Sequence, residues 1–213
     1  MKVTLISYSK PDGREQSIED LVAYCARVSN PANQNNTETN PRLLRYLIKN
    51  GHWSPFEMVN VCLEIETTRD IARQILRHRS FSFQEFSQRY AEANLGVEFK
   101  EARLQDNKNR QNSIKMDNID LQNEWTDMQT RVAKSAEEAY KWALDKGIAK
   151  EQARAVLPEG MTVSRMYMNG TLRSWIHYIQ LRSGNGTQTE HREVALACAK
   201  AIEPIFSMIN EFI

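Results

Sequence analysis

The longest continuous pattern in the chain covers residues 119–146 and predicts a single long helix. Apolar and small side chains recur there at spacings of three and four, which is the period of one helix face. Gly147 follows and is suited to end the helix. The stripe consists of Leu121, Trp125, Met128, Val132, Ala136, Ala139 and Ala143. Such a stripe lies in a core or in a subunit interface, and the pattern does not distinguish the two.

The other patterns predict few strands and many helices. Strands are expected at 2–7, 58–66 and 161–168, and helices at 18–28, 42–49, 69–78, 150–156, 171–181 and 190–213, with Pro204 dividing the last. Residues 80–90 and 94–117 are predicted to be loops, and Asn169-Gly170 a turn. This order favours one mixed α/β (α+β) domain over 1–213, with a small central β-sheet flanked by long helices. It has neither a dinucleotide-binding glycine turn nor a P-loop, so a Rossmann sheet is not expected.

Charge and cysteine content restrict the class of protein. The chain has 28 Lys and Arg against 27 Asp and Glu, so no overall field favours nucleic acid or a membrane surface. No apolar run approaches the roughly 18 residues of a membrane span. Cys25, Cys62 and Cys198 lie far apart among apolar neighbours, which argues against a disulfide framework and against a metal site. We expect buried thiols in a reducing cytoplasm.

Against this neutral background, residues 74–90 concentrate positive charge. Arg77, His78, Arg79 and Arg89 surround Glu85 in the sequence. Guanidinium groups donate several hydrogen bonds in one plane, which suits phosphate and carboxylate. Residues 74, 77 and 78 are expected to share one face at a helix end. The stretch therefore predicts a site for a phosphorylated small molecule.

Nucleic-acid binding is an alternative interpretation of the same stretch. Its arginines, with Phe81, Phe83 and Phe86 interleaved, could grip a backbone and stack bases. The near-neutral total charge and the lack of a basic tail count against this interpretation.

The motif in this stretch resembles the signature of the flavin-dependent thymidylate synthases. Arg77-His78-Arg79 is followed by Ser82, Gln84-Glu85, Ser87 and Arg89 at the family's spacing, with Gln84 where the family usually has Asn. Three further stretches resemble the family in order and spacing. They are residues 51–57 (GHWSPFE), Arg154 with Leu157-Pro158, and residues 173–182 followed by 187–190.

The resemblance implies reductive methylation of dUMP to dTMP. Methylenetetrahydrofolate would donate the methylene group, and FAD reduced by NADPH would supply the hydride, without a cysteine nucleophile. The resemblance also implies a homotetramer with active sites at subunit interfaces, and no nucleic-acid or membrane partner. A catalytically inactive relative that still binds flavin is an alternative, against which the retained Arg77, Ser87, Arg89 and Arg182 argue.

The resemblance assigns roles to individual residues. Arg182 would lie against the pyrimidine and stabilise negative charge on it, and His52 would flank the ring where folate or dUMP stacks. The residues implied for dUMP are Gln74, Arg77, Glu85, Ser87, Gln88, Arg89, Arg154 and Arg182. Those implied for FAD are Ser54, Arg77, His78, Arg79, Glu85, Arg173 and His177, the last standing where the family often has Asn.

Overall fold

The structure is a computed structural model that describes residues 1–13 and 16–213. The strands of this part of the chain are β1 (Lys2–Tyr8), β2 (Asn60–Thr68), β3 (Phe81–Glu85), β4 (Arg103–Gln105), β5 (Ser113–Lys115) and β6 (Val163–Thr171). The helices are α1 (Ile18–Ala26), α2 (Asn40–Lys49), α3 (Arg69–Ile75), α4 (Ile119–Asp145), α5 (Lys150–Ala153), α6 (Leu172–Arg182) and α7 (Thr189–Ile202). The predicted mixed α/β class with a small sheet and many helices is confirmed.

A four-stranded sheet in the order β1-β2-β6-β3 organises the chain. All three neighbouring pairs are antiparallel. Strands β2 and β3 therefore run in the same direction on either side of β6, and α3 connects them. This connection brings residues 76–80 to the end of the sheet where β6 passes into α6, since Phe81 pairs with Gly170.

The two faces of the sheet have different chemistry because side chains alternate along each strand. Val61, Leu63 and Ile65 of β2 are fully buried on one face, as their alternation predicts, and helices α6 and α7 contribute to the same core. On the other face, Arg165 of β6 pairs with Glu66 of β2 at 2.8 Å and remains partly exposed. The apolar core formed by the described residues thus packs on the face of β2 that carries Val61, Leu63 and Ile65.

Local signals set the helix ends. The Ser17 hydroxyl accepts from the Asp20 N–H while the Asp20 carboxylate accepts from the Ser17 N–H, which forms a capping box at the start of α1. Thr171 caps α6 by accepting from the Ser174 N–H. Helix α4 ends at Asp145, and Gly147 follows with φ +74°, a conformation that favours glycine.

The predicted stripe on α4 divides into two parts. Ala136 and Ala143 are buried, and Tyr140 joins them and accepts from the Ala93 N–H at 3.0 Å. Ala139, in the same half of the helix, is half-buried. The four members in the first half of the helix are 38% to 54% exposed: Leu121, Trp125, Met128 and Val132. In a single chain, this half of the stripe has no core to enter.

Several predicted boundaries are wrong. Residues 81–85 form an edge strand rather than a loop, because they pair with β6 and turn Phe81 towards the core. Asn169-Gly170 lies inside β6 rather than in a turn, with Gly170 directly opposite Phe81. Residues 94–117 include the hairpin β4–β5. The last helix ends at Ile202, before Pro204, and a 3-10 helix follows at Ser207–Phe212.

Candidate active site

Arg182 and His78 form the most direct contact between predicted site residues. Arg182 is the last residue of α6, and its Nε donates to Nε2 of His78 at 3.0 Å. Burial lowers the pKa of His78 to about 4, with further lowering by the charges of Arg182 and Arg77. The imidazole is therefore neutral near pH 7, accepts through Nε2 and carries its proton on Nδ1. Neither terminal nitrogen of Arg182 has a hydrogen-bond partner among the described residues, so both can donate to a ligand.

Behind this pair lies a chain of polar groups that runs from buried Tyr178 and His191 to the surface. The ring of His78 meets the ring of Tyr178 edge-on, with centroids 4.9 Å apart. The Tyr178 hydroxyl lies 3.2 Å from Nε2 of His191, whose Nδ1 lies 3.2 Å from Oε1 of Gln74. Gln74 in turn donates to Gln188 at 2.7 Å. Gln74 is thus connected to His78 and Arg182 through side chains of α6 and α7.

Residues 74, 77 and 78 do not share a helix face as predicted. Helix α3 ends at Ile75, so Arg77 and His78 lie in the turn that leads to β3. The turn still brings His78 to Arg182, and it leaves Arg77 and Arg79 exposed.

Four arginines of the predicted site lack a carboxylate partner among the described residues. They are Arg77, Arg79, Arg154 and Arg182. The thirteen ion pairs in this part of the chain involve the N-terminal amine or other arginines and lysines. Uncompensated guanidinium groups that lie near one another favour anionic ligands.

Arg89 and Arg154 meet at the start of α5. Arg89 pairs with the Glu151 carboxylate at 3.3 Å, and Arg154 donates to the Glu151 carbonyl oxygen at 3.3 Å. The turn that carries Arg89 is held by the Ser87 carbonyl, which accepts from the N–H groups of residues 90 and 91. Gln88 within it is buried, while Ser87 and Arg89 are exposed. Two predicted dUMP-binding segments, distant in sequence, are thus neighbours.

Glu85 has partners other than the Arg-His-Arg turn. Its carboxylate accepts from the Ser164 hydroxyl at 2.7 Å and lies 3.5 Å from a terminal nitrogen of Arg69. The carboxylate therefore sits at the end of β3, held between β6 and the start of α3.

A separate group lies around the start of α6. Arg173 pairs with Glu57, and the ring of His177 lies against that of Trp53 at 4.6 Å. Ser54 is exposed at the start of the 3-10 helix Ser54–Met58. His52 is exposed in the preceding loop, with Tyr46 as its nearest aromatic neighbour at 6.1 Å.

The two groups on α6 face in opposite directions. Arg173 and Arg182 are nine positions apart, which is two and a half helical turns, or about 13.5 Å along the axis. Half a turn places the two side chains on opposite sides of the helix. Arg173 therefore lies on the side of α6 opposite to Arg182 and its partner His78.

Known proteins with similar sequence and structure decide the family. A family model described as "Thymidylate synthase complementing protein" matches residues 4–206. A flavin-dependent thymidylate synthase of Synechocystis sp. is 52% identical over 204 residues, covering 94% of this chain and 93% of that protein. A protein of Paramecium bursaria Chlorella virus 1, named a probable flavin-dependent thymidylate synthase, is 51% identical over 200 residues, covering 93% and 92%. This chain belongs to the flavin-dependent thymidylate synthase family.

A solved structure supports the same relationship. The UMP/dUMP methylase PolB from Streptomyces cacaoi, bound with 5-Br dUMP, superposes with a TM-score of 0.84 at 27% identity. The match covers 99% of this chain and 93% of that one. None of the helices in the described part of the chain combines the length and hydrophobicity that a membrane span requires.

The three thiols of this family member differ in burial. Cys198 is buried, whereas Cys25 and Cys62 are half-buried, so the prediction of three buried thiols holds for one. Burial raises the pKa of all three thiols. A thiol with a raised pKa is a poor nucleophile at neutral pH.

Two residues of this polar chain, Tyr178 and His191, could not be identified from the sequence. Tyr178 and His191 lie on the inner faces of α6 and α7, where an aromatic residue or a lone histidine is ordinarily part of a core. Only the side-chain positions show that the Tyr178 hydroxyl meets His191 and that His191 meets Gln74.

The buried histidines predict how stability depends on pH. The pKa of His191 falls to about 3 through burial and the nearby Arg182 and His78, and that of His78 to about 4. In the unfolded chain a histidine titrates near 6.5. Below that pH the unfolded state binds protons that the folded state does not, so these groups remove stability as pH falls from about 6.5 towards 4.

Urea unfolding at several pH values checks this prediction. Between pH 6.5 and 4, the unfolding free energy of His191→Gln should fall less steeply than that of wild type. The two slopes against pH should differ by the amount that corresponds to about one bound proton. Carboxylates titrate in both proteins, and their contribution cancels in the comparison. Equal slopes would show that His191 is not a buried neutral imidazole.

Proposed function

We propose that this protein methylates dUMP to dTMP reductively. Methylenetetrahydrofolate donates the methylene group, and FAD reduced by NADPH is the hydride source. The observation that supports this most strongly is that Arg77, Arg79, Arg154 and Arg182, on segments that resemble the family, have no carboxylate partner within the described part of the chain, because such a set fits ligands rich in phosphate. The names of the two relatives and the nucleotide bound by PolB support the substrate class.

Arg182 is the proposed catalytic residue. Its two terminal nitrogens can donate to oxygen on the pyrimidine, since Nε is held by neutral His78. Negative charge that develops on the ring is stabilised by this fixed cation, which makes carbon 5 nucleophilic towards the methylene carbon. No thiol is required for this step, in agreement with the raised pKa values of the three cysteines. His52 is proposed to flank the ring.

The dUMP site is proposed at the junction of β3 and α5. Ser87, the backbone N–H of Gln88, Arg89 and Arg154 would bind the phosphate, and their proximity around Glu151 supports this. The Glu85 carboxylate would accept a hydrogen bond from the deoxyribose. Gln74 and Arg77 would complete the site.

The residues present also fit FAD. Arg77 and Arg79 are exposed and have no carboxylate partner among residues 1–13 and 16–213, which suits its pyrophosphate, and Nδ1–H of neutral His78 offers a donor beside them. Ser54, Arg173 and His177 are proposed to contact it from another chain. When bound, FAD supplies the hydride that converts the transferred methylene group to a methyl group.

We propose a homotetramer in which each active site draws residues from more than one chain. The opposite orientation of Arg173 and Arg182 on α6 supports this, because two such surfaces can face one ligand only across a subunit boundary. The exposed half of the α4 stripe is the proposed packing surface between subunits. Each chain would be one domain, residues 1–213, working in the cytoplasm without a nucleic-acid or membrane partner.

Co-expression of two inactive variants tests the shared site. Arg182→Ala and Arg173→Ala are expected to be inactive separately. Mixed tetramers should recover activity above that of either parent, because some sites then receive both arginines. The control is Arg182→Ala with His78→Ala, which should not recover, since these residues touch within one chain. Absence of recovery in the first pair would place the whole site in a single chain.

Flavin binding separates this function from nucleic-acid binding. The purified protein should take up FAD, show flavin absorbance and lose it on addition of NADPH. A colourless protein that takes up no FAD and binds DNA with a steep dependence on salt would contradict the proposal.

A further inference from the structure

His191 occupies an unusual position for a titratable residue. It lies on α7 with no exposed surface, and both ring nitrogens have a polar partner. Nδ1 faces Oε1 of Gln74 and Nε2 faces the hydroxyl of Tyr178, each at 3.2 Å. A buried imidazole with both nitrogens paired fixes the direction of the groups that it joins.

The donor and the acceptor of each hydrogen bond can be assigned by starting from Glu190. The Glu190 carboxylate, which pairs with Arg103, can only accept, so the amide nitrogen of Gln188 donates to it at 3.0 Å. The amide oxygen of Gln188 then accepts from Nε2 of Gln74 at 2.7 Å. This leaves Oε1 of Gln74 as the acceptor that faces His191.

His191 must therefore donate through Nδ1. A neutral imidazole has one N–H, so Nε2 accepts from the Tyr178 hydroxyl. The pKa of His191, about 3, keeps the ring neutral across the physiological range, so this direction does not change with pH there. The carboxamide of Gln74 is held with its oxygen towards the interior. One of its two N–H groups is used by Gln188, and the second remains free of any hydrogen bond within the described part of the chain.

We propose that His191 is a positioning residue that orients the Gln74 carboxamide, so that the site offers an N–H donor to an acceptor oxygen of the bound nucleotide. The inference rests on the proposed function, which assigns Gln74 to dUMP. His191 itself touches no reacting atom. Through Tyr178, whose ring lies against His78, it also braces the imidazole that holds Arg182.

The wild-type protein gives the first test. A long-range ¹H–¹⁵N correlation spectrum of protein with ¹⁵N-labelled histidine reports which ring nitrogen carries hydrogen. The signals of His191 are assigned by their absence from the spectrum of His191→Gln. We expect hydrogen on Nδ1 and a bare Nε2 at pH 7. The opposite tautomer, or a charged ring, would overturn the proposal, whatever reaction the protein catalyses.

A double-mutant cycle gives the second test. Gln74→Ala and His191→Leu should each raise the KM for dUMP about fivefold to tenfold, roughly the effect of one hydrogen bond, with a smaller change in kcat. The double variant should be no worse than Gln74→Ala alone. His191→Gln, which keeps one donor and one acceptor, should restore most of the affinity. Additive effects on KM would show that His191 does not act through Gln74, and an unchanged KM in His191→Leu would show that His191 serves stability alone.

Two further measurements keep the outcome clear. If His191→Leu does not fold, Tyr178→Phe takes its place in the cycle. This variant removes the partner of His191 Nε2 and keeps the ring against His78. An additive effect on KM would contradict the proposal here too. Equilibrium dialysis of wild-type protein with dUMP tests the proposed function separately from the role of His191. Failure to bind dUMP would contradict the proposed function, whereas binding with an uncoupled cycle would contradict the role of His191 only.

Discussion

Arg182→Ala is expected to fold and to bind FAD, and to lose thymidylate formation by on the order of a hundredfold or more. Removal of one preorganised donor to a developing negative charge typically costs about 3 kcal/mol of transition-state stabilisation. The side chain is half-buried at a helix end and makes one hydrogen bond, to His78, so its loss should change the unfolding temperature little.

Steady-state kinetics and a thermal unfolding curve measured on the same preparation check this expectation. Arg131→Ala is a matched control, because Arg131 is an exposed arginine on α4 and is not one of the residues proposed for the site. The control should keep its activity. Near wild-type turnover of Arg182→Ala would remove Arg182 from the mechanism, and a large fall in its unfolding temperature would assign it a structural role instead.

Gly170→Ala is expected to destabilise the fold by about 3 kcal/mol, the upper end of what overpacking usually costs. A Cβ at this position would lie 2.6 Å from Cε1 of Phe81, the residue paired with it across the sheet. Phe81 cannot move away easily, because its ring is buried against Trp175 at 4.8 Å and Tyr178 at 6.0 Å. For a chain of this size the unfolding temperature should fall by roughly 6–12 °C.

Two variants show whether the clash is the cause. Gly160→Ala should lie within about 0.5 kcal/mol of wild type, because nothing approaches its Cβ within 4 Å. In a Phe81→Leu background, the added effect of Gly170→Ala should be much smaller. A Gly170→Ala protein as stable as wild type would show that the strand pair β3–β6 is looser than described.

Local sequence signals predicted the parts of the fold that depend on neighbouring residues. The capping residues Ser17 and Thr171 mark helix starts because their hydroxyl groups bind N–H groups three positions ahead. The alternation of Val61, Leu63 and Ile65 identifies a half-covered strand for the same reason, since the period is local. Gly147 ends α4 through its own backbone conformation.

Contacts between distant segments were not predictable in this way. Strand β3 forms because β6 offers it a partner more than eighty positions away, and the short alternation around Phe81 and Phe83 did not by itself distinguish a strand from a loop. The predicted turn at Asn169-Gly170 is wrong because the sequence does not show that the Phe81 ring fills the space next to Gly170. Half of the α4 stripe is exposed because periodicity shows an apolar face and not what covers it.

The same division applies to the candidate site. The motif around Arg77, Glu85 and Arg89 pointed to anionic ligands, since clustered guanidinium groups have few other uses. The contact of His78 with Arg182, and the buried link through His191, required the packing of α6 against α7. A lone buried histidine gives no signal in one sequence.

Release of tritium from dUMP labelled at carbon 5 tests the central claim most directly. Thymidylate formation must exchange the hydrogen at that carbon for the new methyl group. With FAD, NADPH and methylenetetrahydrofolate present, we predict tritium release in step with dTMP formation, dependent on each of the three. Flavin-loaded protein that binds dUMP but releases no tritium would contradict the proposed function.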